Sequence, residues 1–283
     1  MRKLIYAATL LVFVACGSKV DQPINLNVMT FNMRYDNPQD SLNSWQYRRD
    51  EVAEELTAHD IDICGAQELL IHQLNDLKES LTGYACVGVG RLDGVEAGEH
   101  SALFFKKDRF EVVETGNFWL SETPEVAGSK GWDGACERIA TWAILKEIGS
   151  GRELFCINTH LDHVGQVARE QGVSLLLDRT RTLSRGLPVM ITGDFNADPA
   201  SSVITHVTRS GEFSHAKERA AEVRGTAWSF SDFGRLPETE RQLIDYIFVN
   251  DAFTVSEYEV LPNRLNNQYV SDHAPVMAKI TFK

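Results

Sequence analysis

Short apolar runs alternate with amphipathic stretches along most of the chain, and the apolar runs stop at polar residues. Ile24 to Asn32 alternates apolar and polar positions and reads as a strand ending at Phe31-Asn32. Trp45 to Ala58 sets Trp45, Val52 and Leu56 on one helical face with charges opposite. Ile61 to Ala66 reads as a buried strand with Gln67-Glu68 at its lip, and Leu69 to Leu81 as an amphipathic helix closed by Gly83. Tyr84 to Gly90 is a further strand, followed by a glycine- and acid-containing loop from Arg91 to Glu99. Ser101 to Phe105 and Phe110 to Leu120 form a strand pair. Ser121 to Ala135 is a long connection, of a kind often tied to function. Arg138 to Glu147 and Arg152 to His160 flank the hairpin signal Gly149-Ser150-Gly151. A helix over Val167 to Leu183 leads into the strand Pro188 to Asp194, and a helix follows over Ala200 to Arg209. Strands at Leu243–Asn250, Phe253–Leu261 and Ala274–Phe282 end the chain.

Strands in adjacent pairs, with helices between some of them, predict an α/β (α+β) fold of two mainly antiparallel sheets packed face to face with helices outside. No Pro/Gly/Ser linker interrupts residues 24–283, which read as one domain. Residues 1–15 read differently. Arg2-Lys3 precedes an apolar run of signal-peptide length, too short to span a bilayer comfortably. Phe13-Val14-Ala15-Cys16-Gly17-Ser18 resembles the lipobox of bacterial lipoproteins, which implies cleavage before Cys16 and its acylation. An ordinary secretory signal is the other reading. Residues 16–23 would then be a tether, and the expected location is outside the cytoplasm, anchored in the bacterial cell envelope.

Charge narrows the partners. The formal net charge is −12, and loss of Arg2 and Lys3 with the leader takes it to −14. An acidic surface repels polyanions at long range, which disfavours indiscriminate nucleic-acid binding. Cys64 and Cys156 sit in apolar runs and read as buried hydrophobes, and no cysteine or histidine spacing matches a zinc site.

The chemistry sits where strands end. Gly193-Asp194-Phe195-Asn196 sets a carboxylate and a carboxamide two residues apart on one face, a pair suited to holding water or metal against a phosphate. An Asx turn capping the next helix at Asp198-Pro199 is the plainer reading. Asn32, Glu68, His160, Asp162, Asp245, Asp272 and His273 recur in the same strand-end setting. Carboxylate and amide oxygens without thiolates suit a hard divalent cation, and the histidines can carry a proton near neutral pH.

Thr30-Phe31-Asn32, Gln67-Glu68, Asn158-Thr159-His160-Leu161, Gly193-Asp194-Phe195-Asn196, Ile244-Asp245-Tyr246 and Ser271-Asp272-His273-Ala274-Pro275 occur in this order. The series resembles the endonuclease/exonuclease/phosphatase superfamily, over about residues 26–280. The resemblance implies a four-layer sandwich with its site at one edge of both sheets. It implies that Glu68 and Asp272 hold a divalent metal, normally Mg2+ (Mn2+ or Ca2+ otherwise), with Asn32 as ligand or phosphate contact. Asp194 would activate the attacking water, Asn196 fix phosphate and water, and His160 and His273 donate to phosphoryl oxygens. Asp245 would orient His273, Glu99 would stand behind His160, and Arg138 would bind phosphate. Plainer readings stay open: a backbone-satisfied buried acid for Asp245, a solvated loop acid for Glu99, a surface strand residue for Arg138. Asp162 and His163 could serve the site rim or cap a helix, and Trp119 and Trp132 read as core. Arg34 stands two residues after Asn32, where some nucleases of the superfamily carry an aspartate, which weakens any second-metal arrangement there.

The expected function is an exported metal-dependent phosphoric-ester hydrolase, monomeric, acting on a small or lipid-derived phosphoester such as a sugar, inositol or lipid-headgroup phosphate. The alternatives are an extracellular nuclease and a non-catalytic surface-binding lipoprotein.

Overall fold

The computed structural model describes residues 22–282; the expected leader, Cys16 and residues 17–21 of the tether lie outside the described residues. The strands are β1 (Ile24–Asn32), β2 (Ile63–Leu69), β3 (Tyr84–Val87), β4 (His100–Lys106), β5 (Phe110–Trp119), β6 (Ile139–Glu147), β7 (Glu153–His160), β8 (Val189–Asp194), β9 (Ser214–His215), β10 (Ala220–Gly225), β11 (Asp245–Val249), β12 (Phe253–Val260), β13 (Arg264–Leu265), β14 (Gln268–Tyr269) and β15 (Val276–Phe282). The helices are α1 (Arg49–Ala58), α2 (Ile71–Ser80), α3 (Gln166–Ser184), α4 (Ser202–Arg209) and α5 (Ala216–Arg219).

One sheet runs β10-β12-β15-β1-β2-β4-β3 and the other β5-β6-β7-β8-β11-β9, mostly antiparallel as expected. The exceptions matter most. β1 and β2 are parallel, as are β7 and β8, each pair inside its sheet, and a third parallel pair, β10 and β12, lies at an edge. Parallel neighbours need a crossover, for the inner pairs through α1 and α3, and they end on the same edge. The C-terminal lips of β1, β2, β7 and β8 therefore share one rim, which carries Asn32, Glu68, His160 and Asp194. Antiparallel β11 begins at that rim, pairing Asp245 with Asp194, and the segment entering β15 brings in Asp272 and His273.

The period-2 pattern sorts the core. In β1, Ile24, Leu26 and Val28 join the cluster between the sheets, while Met29 and Phe31 join a second cluster with Val52 and Leu56 of α1 and Leu74 and Leu77 of α2. On the inter-sheet face the residues change from apolar to polar towards the rim. Gln67 Nε2 donates to Thr30 Oγ1 at 3.1 Å and to Asn158 Oδ1 at 2.7 Å; Asn158 Nδ2 donates to the carbonyls of Ala66 and Ala102 at 2.8 and 3.0 Å. Thr192 Oγ1 also donates to Asn158 Oδ1, at 3.1 Å. The sheets approach closely here because residue 65 is glycine: a Cβ would lie 2.0 Å from Thr192 Oγ1.

Several boundaries differ from the sequence reading. The helix expected from Trp45 starts at Arg49, with a 3-10 turn at Trp45–Tyr47, because Trp45 is tied elsewhere: its Nε1 donates to Asp76 at 2.7 Å. The sequence reading places no element between Arg209 and Leu243, yet this stretch holds β9, α5 and the exposed edge strand β10, elements too short or too solvated to leave a pattern. Ser201, rather than Asp198, caps α4. Cys64 and Cys156 are buried free thiols, as expected.

Arg48 braces the rim from below. It is fully buried, with no carboxylate partner among the described residues: its guanidinium donates to the carbonyls of Met33, Arg34, Asn43 and Val270. It thus joins the segment leaving β1 to the one that delivers Asp272. Arg48→Ala is predicted to cost about 3 kcal/mol or more of unfolding free energy, since it strands buried carbonyls and opens a cavity. Urea denaturation reads this directly, and a loss under about 1 kcal/mol would remove Arg48 as the brace.

Candidate active site

The expected residues converge. Asn32, Glu68, His160, Asp194, Asp245, Asp272 and His273 are brought to one rim, and most of them line a single cavity of about 470 Å³ with Asn196, Glu99 and Arg138. Across the second sheet, His160 is the parallel register partner of Asp194 and Asp245 its antiparallel partner, so three titratable groups stand in a row. Glu68 arrives differently. The β2–β4 register shifts between Ala66 and Leu69, and Glu68 has φ +67°, a left-handed conformation unusual for glutamate. This bulge re-aims the side chain, and such strain concentrates at functional sites.

Asn32 links the sheets at the rim. Its Nδ2 donates to Glu68 Oε1 and to Asp194 Oδ2, both at 2.9 Å. Asp194 Oδ1 accepts from the backbone N–H of Asn196 at 2.9 Å, so the Asx turn is present as well as the site. Asn196 has φ +46°, and its Nδ2 donates to the carbonyl of Leu161 at 3.0 Å. A carbonyl only accepts, which fixes the amide orientation. The same Nδ2 lies 2.9 Å from His160 Nε2, so that ring nitrogen is the acceptor and the neutral ring carries its proton on Nδ1.

The two histidines are electrostatically opposite. His273 Nδ1 lies 2.8 Å from Asp245 Oδ2. Burial alone would lower its pKa, but Asp245, with Asp272 and Asp194 beyond, carries it up to about 10. His160 is held well below the ordinary range by burial and by the positive charges of Arg138, Arg91 and His273. Burial pushes Asp194 up to about 7, and the charge of Asp245 adds to it. At neutral pH the site thus pairs an imidazolium and a neutral imidazole with a carboxyl poised for proton transfer.

Three expectations need correction. Glu99 does not stand behind His160: its Oε2 pairs with Arg91 Nη1 at 2.6 Å, and His160 Nδ1 has no hydrogen-bond partner among the described residues. Nor is Glu99 a solvated loop acid, since its side chain is 18% exposed. His160 does not add positive charge, because burial among cations keeps it neutral. Arg34, read only as a missing aspartate, lies in the cavity: it chelates Asp40 at 2.9 and 3.2 Å and reaches Asp272 at 3.6 Å.

Asp245 is buried against His273 rather than satisfied by backbone amides. Arg138 is buried, contacts His163 Nδ1 at 3.0 Å, and leaves Nε and Nη1 without a hydrogen-bond partner among the described residues, Nε lying 3.7 Å from Asp162 Oδ2. Asp162 accepts from the backbone amides of Ala135, Cys136, Val164 and Gly165, which against the cost of burial hold its carboxyl down at about 2. It clamps the long connection to the approach of α3, while His163 lines the rim. Trp119 is core, its Nε1 bonded to the carbonyl of Arg91. Arg91, Phe230, Asp232 and Gln242 also line the cavity and were missed, for they sit in loops with no local motif.

The match to known proteins follows the same residues. The endonuclease/exonuclease/phosphatase family matches residues 29–273. The chain belongs to that family. A family member of known structure from Bacteroides vulgatus is 41% identical, with a TM-score of 0.89, covering 92% of this chain and 100% of its own. A mannosyl-6-phosphatase from Bacteroides thetaiotaomicron is 38% identical, TM-score 0.86, covering 91% and 100%. Among curated proteins, Nocturnin of Xenopus laevis is 27% identical over 274 residues, covering 87% of this chain; this chain spans 66% of that relative and 58% of human Nocturnin. The chain thus carries the fold of this family.

Members of the family are generally divalent-metal dependent, and the donor set here fits. Glu68, His160 and Asp194 each present one donor atom within 4.8 Å of the others. Burial raises the pKa of Asp272, and the nearby charge of Glu68 adds to it, a repulsion that a bound cation would relieve. Oxygen donors dominate, as a hard cation requires.

The pairing of His273 with Asp245 is directly measurable. With a folded pKa near 10 against 6.5 unperturbed, the pair's stabilisation is complete below about pH 6.5 and is lost as pH rises through 10. An imidazole NMR titration should find His273 charged at pH 8.5, and Asp245→Asn should bring its midpoint down by at least two units, roughly the reach of one contacting charge. An unchanged midpoint would detach Asp245 from that role.

Proposed function

We propose that the protein is an exported, divalent-metal-dependent phosphomonoesterase acting on a small hydroxyl-rich phosphate of the sugar-phosphate class. The observation that carries this reading is the cavity itself. About 470 Å³ lined by arginines, acids and histidines suits a phosphate bearing one sugar-sized group, and Phe230 and Ile244 provide limited apolar wall. The 38% identity to a mannosyl-6-phosphatase across that whole chain points the same way. Export and anchoring through Cys16 rest on residues 1–16 alone.

In this reading the phosphoryl group lies between Asp194, Asn196, His160 and His273. Glu68, Asp272 and Asn32 are the residues that would hold the divalent cation, which when bound neutralises charge on the phosphoryl oxygens. Asp194 takes a proton from the attacking water as its oxygen bonds to phosphorus. The bond from phosphorus to the sugar oxygen breaks on the opposite side, and the imidazolium of His273 gives that oxygen a proton. His273 Nε2 and Asp194 Oδ2 are 3.8 Å apart, so the proton gained by one can return to the other. His160, neutral, donates through Nδ1, and Arg138 offers its free nitrogens to anionic oxygens.

A nuclease is the second reading, favoured by the curated relatives Nocturnin and the exoribonuclease subunit Ccr4 of Saccharomyces cerevisiae, the latter 23% identical. A panel of sugar phosphates, inositol phosphates, phosphodiesters, RNA and plasmid DNA with Mg2+ separates the two. We expect turnover of phosphomonoesters, abolished by EDTA and restored by Mg2+ or Mn2+. Asp194→Asn and His273→Ala should each lower kcat/KM by on the order of a hundredfold or more with the fold retained. Efficient degradation of RNA or DNA with idle phosphomonoesters would replace this reading by the nuclease.

A further inference from the structure

Arg91 has no role in the reading above, yet it is one of the most tightly fixed residues in the cavity wall. Its N–H donates to the carbonyl of Glu99 at 3.1 Å, and its own carbonyl accepts from Trp119 Nε1 at 2.6 Å. The loop it opens is pinned by Asp93, whose Oδ1 accepts from the N–H groups of Val95, Glu96 and Ala97. Its guanidinium is 14% exposed and meets Glu99 through Nη1, while Nε is buried without a partner. Arg138, in the same wall, is likewise buried with Nε and Nη1 free of hydrogen bonds among the described residues, although Nε has Asp162 Oδ2 3.7 Å away. Buried donors left unpaired are costly, and two guanidiniums with free edges on one cavity suit a multiply charged oxyanion.

Each cation of the cavity has a carboxylate neighbour, and they differ in what is left over: Arg34 gives two nitrogens to Asp40 and a third reaches towards Asp272, and His273 is paired with Asp245, whereas Arg91 meets Glu99 through Nη1 alone. Glu99 holds an arginine here instead of a histidine, so its partner is a guanidinium that stays charged and keeps donors to spare. A phosphomonoester is largely dianionic at neutral pH, its second ionisation lying near pH 6. A phosphodiester carries one negative charge and has a carbon substituent where the monoester has a third free oxygen.

We propose that Arg91 is the residue that selects a terminal phosphate: held by Glu99, its guanidinium binds, beside Arg138, the anionic oxygen that a phosphomonoester has and a phosphodiester lacks. This rests on the phosphatase reading above. The test compares wild type, Arg91→Met and Arg91→Lys on p-nitrophenyl phosphate and on methyl p-nitrophenyl phosphate. Calorimetry of inorganic phosphate and dimethyl phosphate binding accompanies the kinetics. Arg91→Met should lower the monoester-to-diester ratio of kcat/KM at least tenfold and weaken inorganic phosphate by about the same factor, the loss of a charge-assisted contact. Arg91→Lys keeps the pair with Glu99 but loses the fork, and should fall between. Equal losses on both esters with unchanged phosphate affinity would reduce Arg91 to a brace for Glu99 and overturn the proposal. If wild type hydrolyses neither ester, the phosphatase reading fails, while the phosphate-binding comparison still decides whether Arg91 binds the oxyanion.

Discussion

The bond from Asn32 to Asp194 spans the two sheets at the point where chemistry is possible. Asn32 ends a strand of one sheet, Asp194 ends a strand of the other, and the same amide nitrogen also holds Glu68. Behind this bond the seam of Gln67, Asn158, Thr30 and Thr192 continues the contact in polar form, and beyond it the interior becomes aliphatic. Buried amides that exchange hydrogen bonds across a sheet interface accept one register only, because a slip would strand several polar groups. The apolar half of the interface supplies most of the cohesion between sheets. The polar half fixes where the rim residues stand.

That arrangement gathers acids that repel one another. Asp194, Asp245 and Asp272 are nearly or wholly removed from water with Glu68 half-buried beside them, and the pKa values of Asp194 and Asp272 are raised by burial and by neighbouring acids. The fold offsets this with charge placed from outside the strands: His273 against Asp245, Arg34 against Asp40 and Asp272. Such a site is strained in the ground state and is relieved by a cation or by an oxyanion held among its donors. The left-handed backbone at Glu68 and Asn196 belongs to the same economy of strain.

How much of this could be read from the chain alone follows from where each signal lives. Strands β1, β2, β7, β8, β11 and β15 are apolar runs that stop at polar residues, so both their existence and their lips were legible, and with them Asn32, Glu68, His160, Asp194 and His273. Pairing across space was not. Glu99 sits at the place expected of a histidine partner, but Arg91, eight residues earlier on a folded-back loop, takes it, and nothing in local sequence marks that choice. Phe230 and Gln242 come from a segment without periodicity, and their approach to the cavity depends on backbone bridges from Phe230 to Gln242 and to His273. Asp162 is legible by half: its spacing suggested a cap, and two of its four backbone amides do come from the next turn of chain, Val164 and Gly165, but the other two come from the distant connection at Ala135 and Cys136.

The central claim is that the lips of strands from both sheets face one phosphorus atom. A crystal structure grown with orthovanadate and Mg2+ tests it most directly. The account predicts vanadate oxygens within hydrogen-bonding reach, about 2.7–3.2 Å, of nitrogens of His160, His273 and Asn196, with the Asn32–Asp194 bond intact behind them. Vanadate bound elsewhere, or a rim in which Asn32 and Asp194 stand apart, would contradict it.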